Sequence, residues 1–284
     1  MIKLLHLVDN TLQSQTAAKC DLLIHIGQQN LQYAIIDKVR DELKALADFK
    51  LPKINSLEDL ILAIESLPEC NREFKYPFSK IRISLDSYKF TLVPEQLYEN
   101  ENEQQYAKFI NSIDSDLILT NQIKSGKIRN IFAVDTKLND IFNKLLHKPR
   151  LFSQGTSFVE GVMKTNPDKN GICLFIDYHI DHIKIACLKK SELIFYNMFE
   201  CVNPDEFNYF LLNTIKVLNL DPKITKVILS GDLTTDNDDN YQRILKYFNE
   251  PAFADSRMIV NHPDLFADVS LHTYFSLISL AECE

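Results

Sequence analysis

The chain lacks any apolar run near the roughly 18 residues that a membrane-spanning helix needs, because Asp and Lys interrupt every candidate stretch. A helical membrane span is therefore not expected. It also lacks a C-x-x-C pair. Its six cysteines, Cys20, Cys70, Cys173, Cys187, Cys201 and Cys283, are scattered without zinc-like spacing and read as reduced, buried small hydrophobes. Positive charge is in deficit: 31 Lys and Arg face 39 Asp and Glu, a net −8, which gives no general attraction to nucleic acid. No segment is of low complexity. The start, Met1 to Val8, is too short for a signal-peptide core and is followed at once by Asp9. Ala17-Ala18 before Cys20 suggests lipoprotein processing, but Lys19 stands where a small uncharged residue is required. The expectation is a cytoplasmic protein.

What is present is an ordinary globular composition, 45% hydrophobic and 25% charged over 284 residues, enough for two packed lobes. The chain also resembles itself. Residues 22–37 (LLIHIGQQNLQYAIID) and 172–188 (ICLFIDYHIDHIKIACL) each read as two alternating strands joined by a polar turn. At a shift of 150, Ile26 falls on Ile176, Ile35 on Ile185, Glu42-Leu43 on Glu192-Leu193 and Phe49 on Phe199. Each copy continues into a helix with a cap and an acidic first turn, at Ser56-Leu57-Glu58-Asp59 and at Asn203-Pro204-Asp205-Glu206. Then Ser79 to Asp86 lies over Thr225 to Asp232 at a shift of 146. Between the copies the pattern predicts a strand at 89–94, a helix at about 103–113, strands at 116–120 and 130–134, and a helix at about 136–147. Loops are expected at 99–105 and 124–126, and an amphipathic helix at 271–281. The reading is an internal duplication in two lobes, 1–149 and 150–284.

A duplicated plan of three strands, helix and strand is similar to that of actin-like ATPases and sugar kinases, an α/β fold with a ribonuclease H-like mixed sheet flanked by helices in each lobe. That resemblance implies a nucleotide between the lobes. It implies phosphate held by the first hairpin of each lobe, with an Asp-x-Gly at the first strand's end for magnesium and for close backbone approach. At a shift of 150 the first copy reads His25-Ile26-Gly27 and the second Phe175-Ile176-Asp177. Gln28-Gln29-Asn30 and Tyr178-His179-Ile180 follow, with no glycine to wrap phosphate. A slip of register would put Asp177 at the acid's place, with His179 replacing the glycine. The strand end expected beneath adenosine is Ser230-Gly231-Asp232, half of a Gly-Gly pair. The cleft candidates are therefore His25, Gly27, Gln28, Asp177, Ser230, Gly231 and Asp232. ATP with magnesium remains a possible ligand on degenerate motifs, and no catalytic residue is assigned.

The segment KIRISLDSYKFTLVPEQLY (80–98) and the ending NHPDLFADVSLHTYFSLISLAECE (261–284) are similar to an uncharacterised Bacteroidetes family, domain of unknown function 3822, associated with an actin-like ATPase fold. The resemblance implies the fold and no activity. Three functions stay open: a pseudo-ATPase that binds or scaffolds a protein partner, an ATPase or kinase with non-standard acids, and a metal site on the second hairpin. For the last, alternation puts Asp177, His179 and Asp181 on one face. The acidic stretch 232–239 lacks the mid-loop Gly and closing Glu of an EF-hand and reads as surface loop. Gln154-Gly155-Thr156-Ser157 lacks the second glycine of a nucleophile elbow and reads as a helix start. Phe207, Tyr209, Phe210, Tyr274 and Phe275 read as core, with part of that apolar surface open to a partner.

Overall fold

The computed structural model describes residues 1–99, 102–235 and 238–284, and the backbone alone at residues 69, 70 and 104. Strands β1 (Ile2–Val8), β2 (Cys20–Ile26), β3 (Asn30–Asp37), β4 (Glu42–Lys50), β5 (Lys80–Leu85) and β9 (Arg150–Ser153) form one sheet, ordered β1-β4-β3-β2-β5-β9. Strands β10 (Ile172–His179), β11 (His182–Lys189), β12 (Glu192–Glu200), β13 (Lys226–Gly231) and β14 (Ala252–Phe253) form a second, ordered β12-β11-β10-β13-β14. The order β4-β3-β2-β5 thus recurs as β12-β11-β10-β13, antiparallel for the first three strands and parallel for the last pair. A third sheet, β6 (Phe90–Pro94), β8 (Ile128–Asp135) and β7 (Asp116–Ile123), grows from the first lobe.

The inner strands of both main sheets, β2, β3, β10 and β11, are buried on both faces, which is why they read as near-continuous apolar runs. Around them lie α1 (Ser14–Ala17), α2 (Leu57–Glu65), α3 (Leu67–Cys70), α4 (Glu103–Ala107), α5 (Thr136–Leu145), α6 (Gln154–Thr165), α7 (Pro204–Val217), α8 (Asp239–Leu245) and α9 (Phe275–Ser279). One core joins Leu22, Ile24 and Ile35 to Ile64 of α2 and Phe142 of α5. Another joins Ile176 and Ile185 to Phe207 and Leu211 of α7 and Ile244 of α8. The central core lies between the sheets, where Leu23 and Ala34 meet Phe175 and Ala186 around Phe158 of α6 and Phe275 of α9. The two middle helices approach closely: a Cβ on Gly161 would come within 2.0 Å of Ser279 Oγ.

Local expectations hold where caps decide them. Ser56 accepts from Asp59 N–H, and Asn203 accepts from the N–H groups of Asp205 and Glu206, so α2 and α7 begin where the sequence places them. Ser153 caps α6 through Gly155 N–H, one residue before the Gln154-Gly155-Thr156-Ser157 run. Two helices differ from expectation. The one foreseen at about 103–113 stops as an α-helix at Ala107 and ends in a 3-10 turn, Lys108–Ile110, where Asn111 turns left-handed at φ 51°. The C-terminal one is a 3-10 turn (Leu271–Tyr274), α9 and another 3-10 turn (Leu280–Glu282). Every residue of α9 is buried, so it is a core element between two sheets and not an amphipathic surface helix. The expected loop at 99–105 includes residues 100 and 101, and the acidic loop 232–239 includes 236 and 237, all outside the described residues. Cys20, Cys173, Cys187, Cys201 and Cys283 are free and buried, and the side chain of Cys70 lies outside the described set.

Candidate functional site

Register settles which residues correspond between the sheets. The bulge in β4 falls at Lys44 and that in β12 at Ile194, which keeps the 150-residue shift there. The first strands are offset differently. His25 lies beside Ser84 in the parallel β2–β5 ladder, and Asp177 lies beside Ser230 in β10–β13, so the counterpart of His25 is Asp177, not Phe175. Likewise the counterpart of Gly27 is His179. The second sheet carries an acid at the position where the first carries His25.

Alternation directs these side chains inward. His25 shares the face of Leu23, Asp177 that of Phe175, and Lys184 that of Ala186, all toward the central layer. There they form one buried polar cluster. Lys184 donates to Asp177 Oδ2 at 3.0 Å and lies 3.7 Å from Asp86 Oδ1. Ser276 of α9 donates to the same Asp177 oxygen at 3.1 Å, and Ser230 donates to Oδ1 at 2.7 Å. His179 Nε2 stands 3.3 Å from Asp177 Oδ2, and its Nδ1 is 3.5 Å from Asp232. From the first lobe, Asp86 faces His25 at 3.5 Å and His182 at 3.6 Å. Gln154 donates its side-chain amide to His25 Nε2 at 3.0 Å.

Four charges in this cluster are set by one another. Burial alone would push the Asp177 carboxyl up, but the Lys184 ammonium, with His179 and Ser230, holds it well below the usual carboxylate range. Asp86 is likewise raised by burial and more than offset by Lys184, which holds it ionised. Burial lowers His179, yet the Asp177 carboxylate overrides it and the imidazole is pushed up to about 10. Burial pushes His182 down, so His182 is neutral near pH 7 and Lys184 supplies the charge opposite Asp86. Two carboxylates and two cations thus balance inside the protein.

This arrangement does not fit a magnesium nucleotide. The space between Asp177 and Asp86 is held by the Lys184 ammonium. Nearby, a cavity of about 270 Å³ between the two hairpin turns presents the carboxylates of Asp48, Asp181 and Asp232 against Lys50 and His179, a poor cradle for phosphates. Gln28 lines that cavity and a second one of about 430 Å³ in the first lobe, and is exposed. The remaining strand-end glycine has a backbone reason: Gly231 sits at φ 80°, and a Cβ there would come 2.0 Å from the Tyr178 carbonyl oxygen. Gly27 packs where a Cβ would meet Asn30 at 2.3 Å and Asp86 at 3.2 Å. The metal reading of the second hairpin also loses its ligand, since Asp177 is saturated by Lys184, Ser230 and Ser276. Among the described residues no group of three or more His, Cys, Asp or Glu side chains could hold a metal ion.

His25, Gly27, Asp177, Ser230 and Asp232 therefore meet around one cluster. Asp86 and Lys184, absent from the sequence candidates, complete it. A signal for both existed. Asp86 matches Asp232 at the 146-residue shift, and Lys184 interrupts the apolar alternation of HIKIACL, where a buried charge demands a partner.

The fold has solved relatives. A protein of unknown function with an actin-like ATPase fold from Bacteroides thetaiotaomicron VPI-5482 superposes with a TM-score of 0.79 at 19% identity, covering 97% of this chain and 100% of that one. A chain of a PilM-PilN type IV pilus biogenesis complex superposes at 0.69 with 10% identity, covering 92% and 97%. An inorganic polyphosphate/ATP-glucomannokinase from Arthrobacter sp. strain KM superposes at 0.50 with 10% identity, covering 93% and 97%. These likenesses show the actin-like ATPase fold. No curated protein matches the chain. Among the described residues no helix is long and apolar enough to cross a membrane. Residues 9–250 match the family described as protein of unknown function (DUF3822), and the chain belongs to that family.

Proposed function

We propose that this protein is a pseudo-ATPase: an actin-like fold, duplicated into lobes 1–149 and 150–284 with β9 of the second stretch completing the first sheet, that works in the cytoplasm as a binding or scaffold module for a protein partner. Its cleft residues His25, Gly27, Gln28, Asp177, Ser230, Gly231 and Asp232 are the remnant of a nucleotide site. The observation that carries this reading is the Lys184 ammonium, 3.0 Å from Asp177 and 3.7 Å from Asp86, filling the space between the two carboxylates. Partner binding is supported by the likeness to a chain from a PilM-PilN pilus biogenesis complex. The second reading, an ATPase or kinase with non-standard acids, has one observation in its favour: Asp177 occupies the strand end that the superfamily uses for its acid.

Ligands that bind only the native state raise its melting temperature. Millimolar ATP with magnesium is expected to leave the melting temperature of the wild-type protein unchanged, and a partner recovered from the native cell is expected in equal yield with and without nucleotide. A clear rise with ATP, or recovery that depends on it, would favour the enzyme.

A further inference from the structure

We propose that the outer edge of β12 is a strand-docking site: it takes an extended segment of a protein partner that pairs antiparallel with β12 and carries Lys or Arg at both ends of an apolar middle. This rests on the binding-module reading and goes beyond it by naming the surface and the chemistry of the partner.

The repeat itself supplies the template. β4 and β12 correspond at the 150-residue shift, through the bulges at Lys44 and Ile194 and the pair Phe49 and Phe199. In the first sheet β1 closes the outer side of β4, antiparallel from Ile2 opposite Lys50 to Val8 opposite Ala45. In the second sheet β12 is the terminal strand, and among the described residues no strand takes that place. Burial follows the difference. β4 is buried from Leu43 to Phe49, and the His6 ring of β1 packs 6.4 Å from the Phe49 ring. At the matching positions of β12, Phe195, Asn197 and Phe199 are only half-buried, and Ile194 is 43% exposed.

An edge strand presents backbone groups that lack a ladder partner. Cys201 N–H donates to the Asp181 carbonyl on the β11 side, so alternation turns the amides of Tyr196, Met198 and Glu200 outward. Met198 N–H donates to Asn197 Oδ1 at 2.9 Å, a local stand-in for a neighbouring strand. Beside the edge runs an aromatic row. Phe199 stacks on Phe210 of α7 at 4.4 Å and Phe210 meets Tyr209 edge-on at 5.2 Å, with Tyr209 63% and Val202 64% exposed. Alternate apolar side chains of an added strand cover that row as His6 covers Phe49, while its main chain completes the ladder. Charge selects the occupant. Glu192 and Glu200 stand exposed at the two ends of β12 and favour cationic residues on the incoming strand. A second copy pairing in register about Tyr196 would set each Glu192 opposite a Glu200, and like charges directly opposite are destabilising.

The test uses the full chain as wild type and as the double variant Glu192→Lys with Glu200→Lys, both changes at exposed positions. The probes are two fluorescein-labelled peptides built on the β1 sequence IKLLHLV, flanked by lysines (KIKLLHLVK) or by glutamates (EIKLLHLVE). In fluorescence anisotropy at low salt the wild type is expected to bind the lysine peptide about tenfold more tightly than the glutamate peptide, and the double variant to reverse that preference. Hydrogen exchange of the Tyr196, Met198 and Glu200 amides is expected to slow on binding. Methylating the backbone nitrogens of one alternate set in the lysine peptide is expected to abolish binding and of the other set to spare it, because only one set faces β12. No binding of either peptide, equal affinity for both, an unchanged preference in the double variant, or tolerance of both methylation patterns overturns the site. So does a wild-type dimer in sedimentation with those three amides already protected, because a second copy then holds the edge. The two levels separate cleanly. A wild-type Tm rise with ATP and magnesium sinks the pseudo-ATPase reading, whereas failure of strand pairing sinks only the docking site.

Discussion

Lys184 and Asp177 pair across 3.0 Å within one hairpin of the second sheet, both buried, and the same ammonium lies 3.7 Å from Asp86, just after β5 of the first sheet. Removing one partner of a buried pair leaves an uncompensated charge, at a cost of about 3–5 kcal/mol. Lys184→Met keeps most of the volume and leaves two buried carboxylates facing the His179 imidazolium alone, so it is expected to lower unfolding stability by about that amount in urea melts. A loss below about 1 kcal/mol would mean the cluster is solvated and that the lobes are held by the apolar central layer alone.

Stability should also depend on the protonation of His179. Its folded value, about 10, lies above the ordinary imidazole value of roughly 6.5. A raised folded pKa contributes stability that is complete below about pH 6.5 and is lost as pH rises toward 10. The urea midpoint is therefore expected to fall from pH 6.5 to pH 10, and His179→Gln to flatten that fall. Equal slopes for the two proteins would show that Asp177 does not hold the imidazole charged.

Gly231 carries a backbone constraint. Its φ of 80°, and a Tyr178 carbonyl oxygen only 2.0 Å from where a Cβ would stand, make Gly231→Ala strained in both conformation and space. A destabilisation of about 2–4 kcal/mol by chemical denaturation is expected. A change under about 0.5 kcal/mol would show that the strand end relaxes easily and reopen the glycine as a ligand contact.

Much of the candidate site was visible in the sequence, but its register was not. The shift of 150 is correct at the bulges Lys44 and Ile194, and the shift of 146 is correct at Ser84 and Ser230. In the first hairpin a slip of two residues keeps every apolar side chain on its own face, so a hydrophobic pattern of period 2 cannot detect it. That slip is the difference between Phe175 and Asp177 at the acid's position. Hydrogen-bond pairing across strands resolves it.

The sequence by itself determined the local structure: the alternating strands, the capped starts of α2 and α7, and the recurring plan that points to an actin-like fold. These follow from neighbours in the chain, where propensity, periodicity and caps act. Only the tertiary structure decided the chemistry of the cleft. Asp177 and His179 of β10, Lys184 of β11 and Asp86 just after β5 meet, and their charges balance, only once the two sheets close on a buried layer. The same closure buried all of α9 and broke the C-terminal segment into turns, because a segment squeezed between two sheets follows their packing and not its own periodicity.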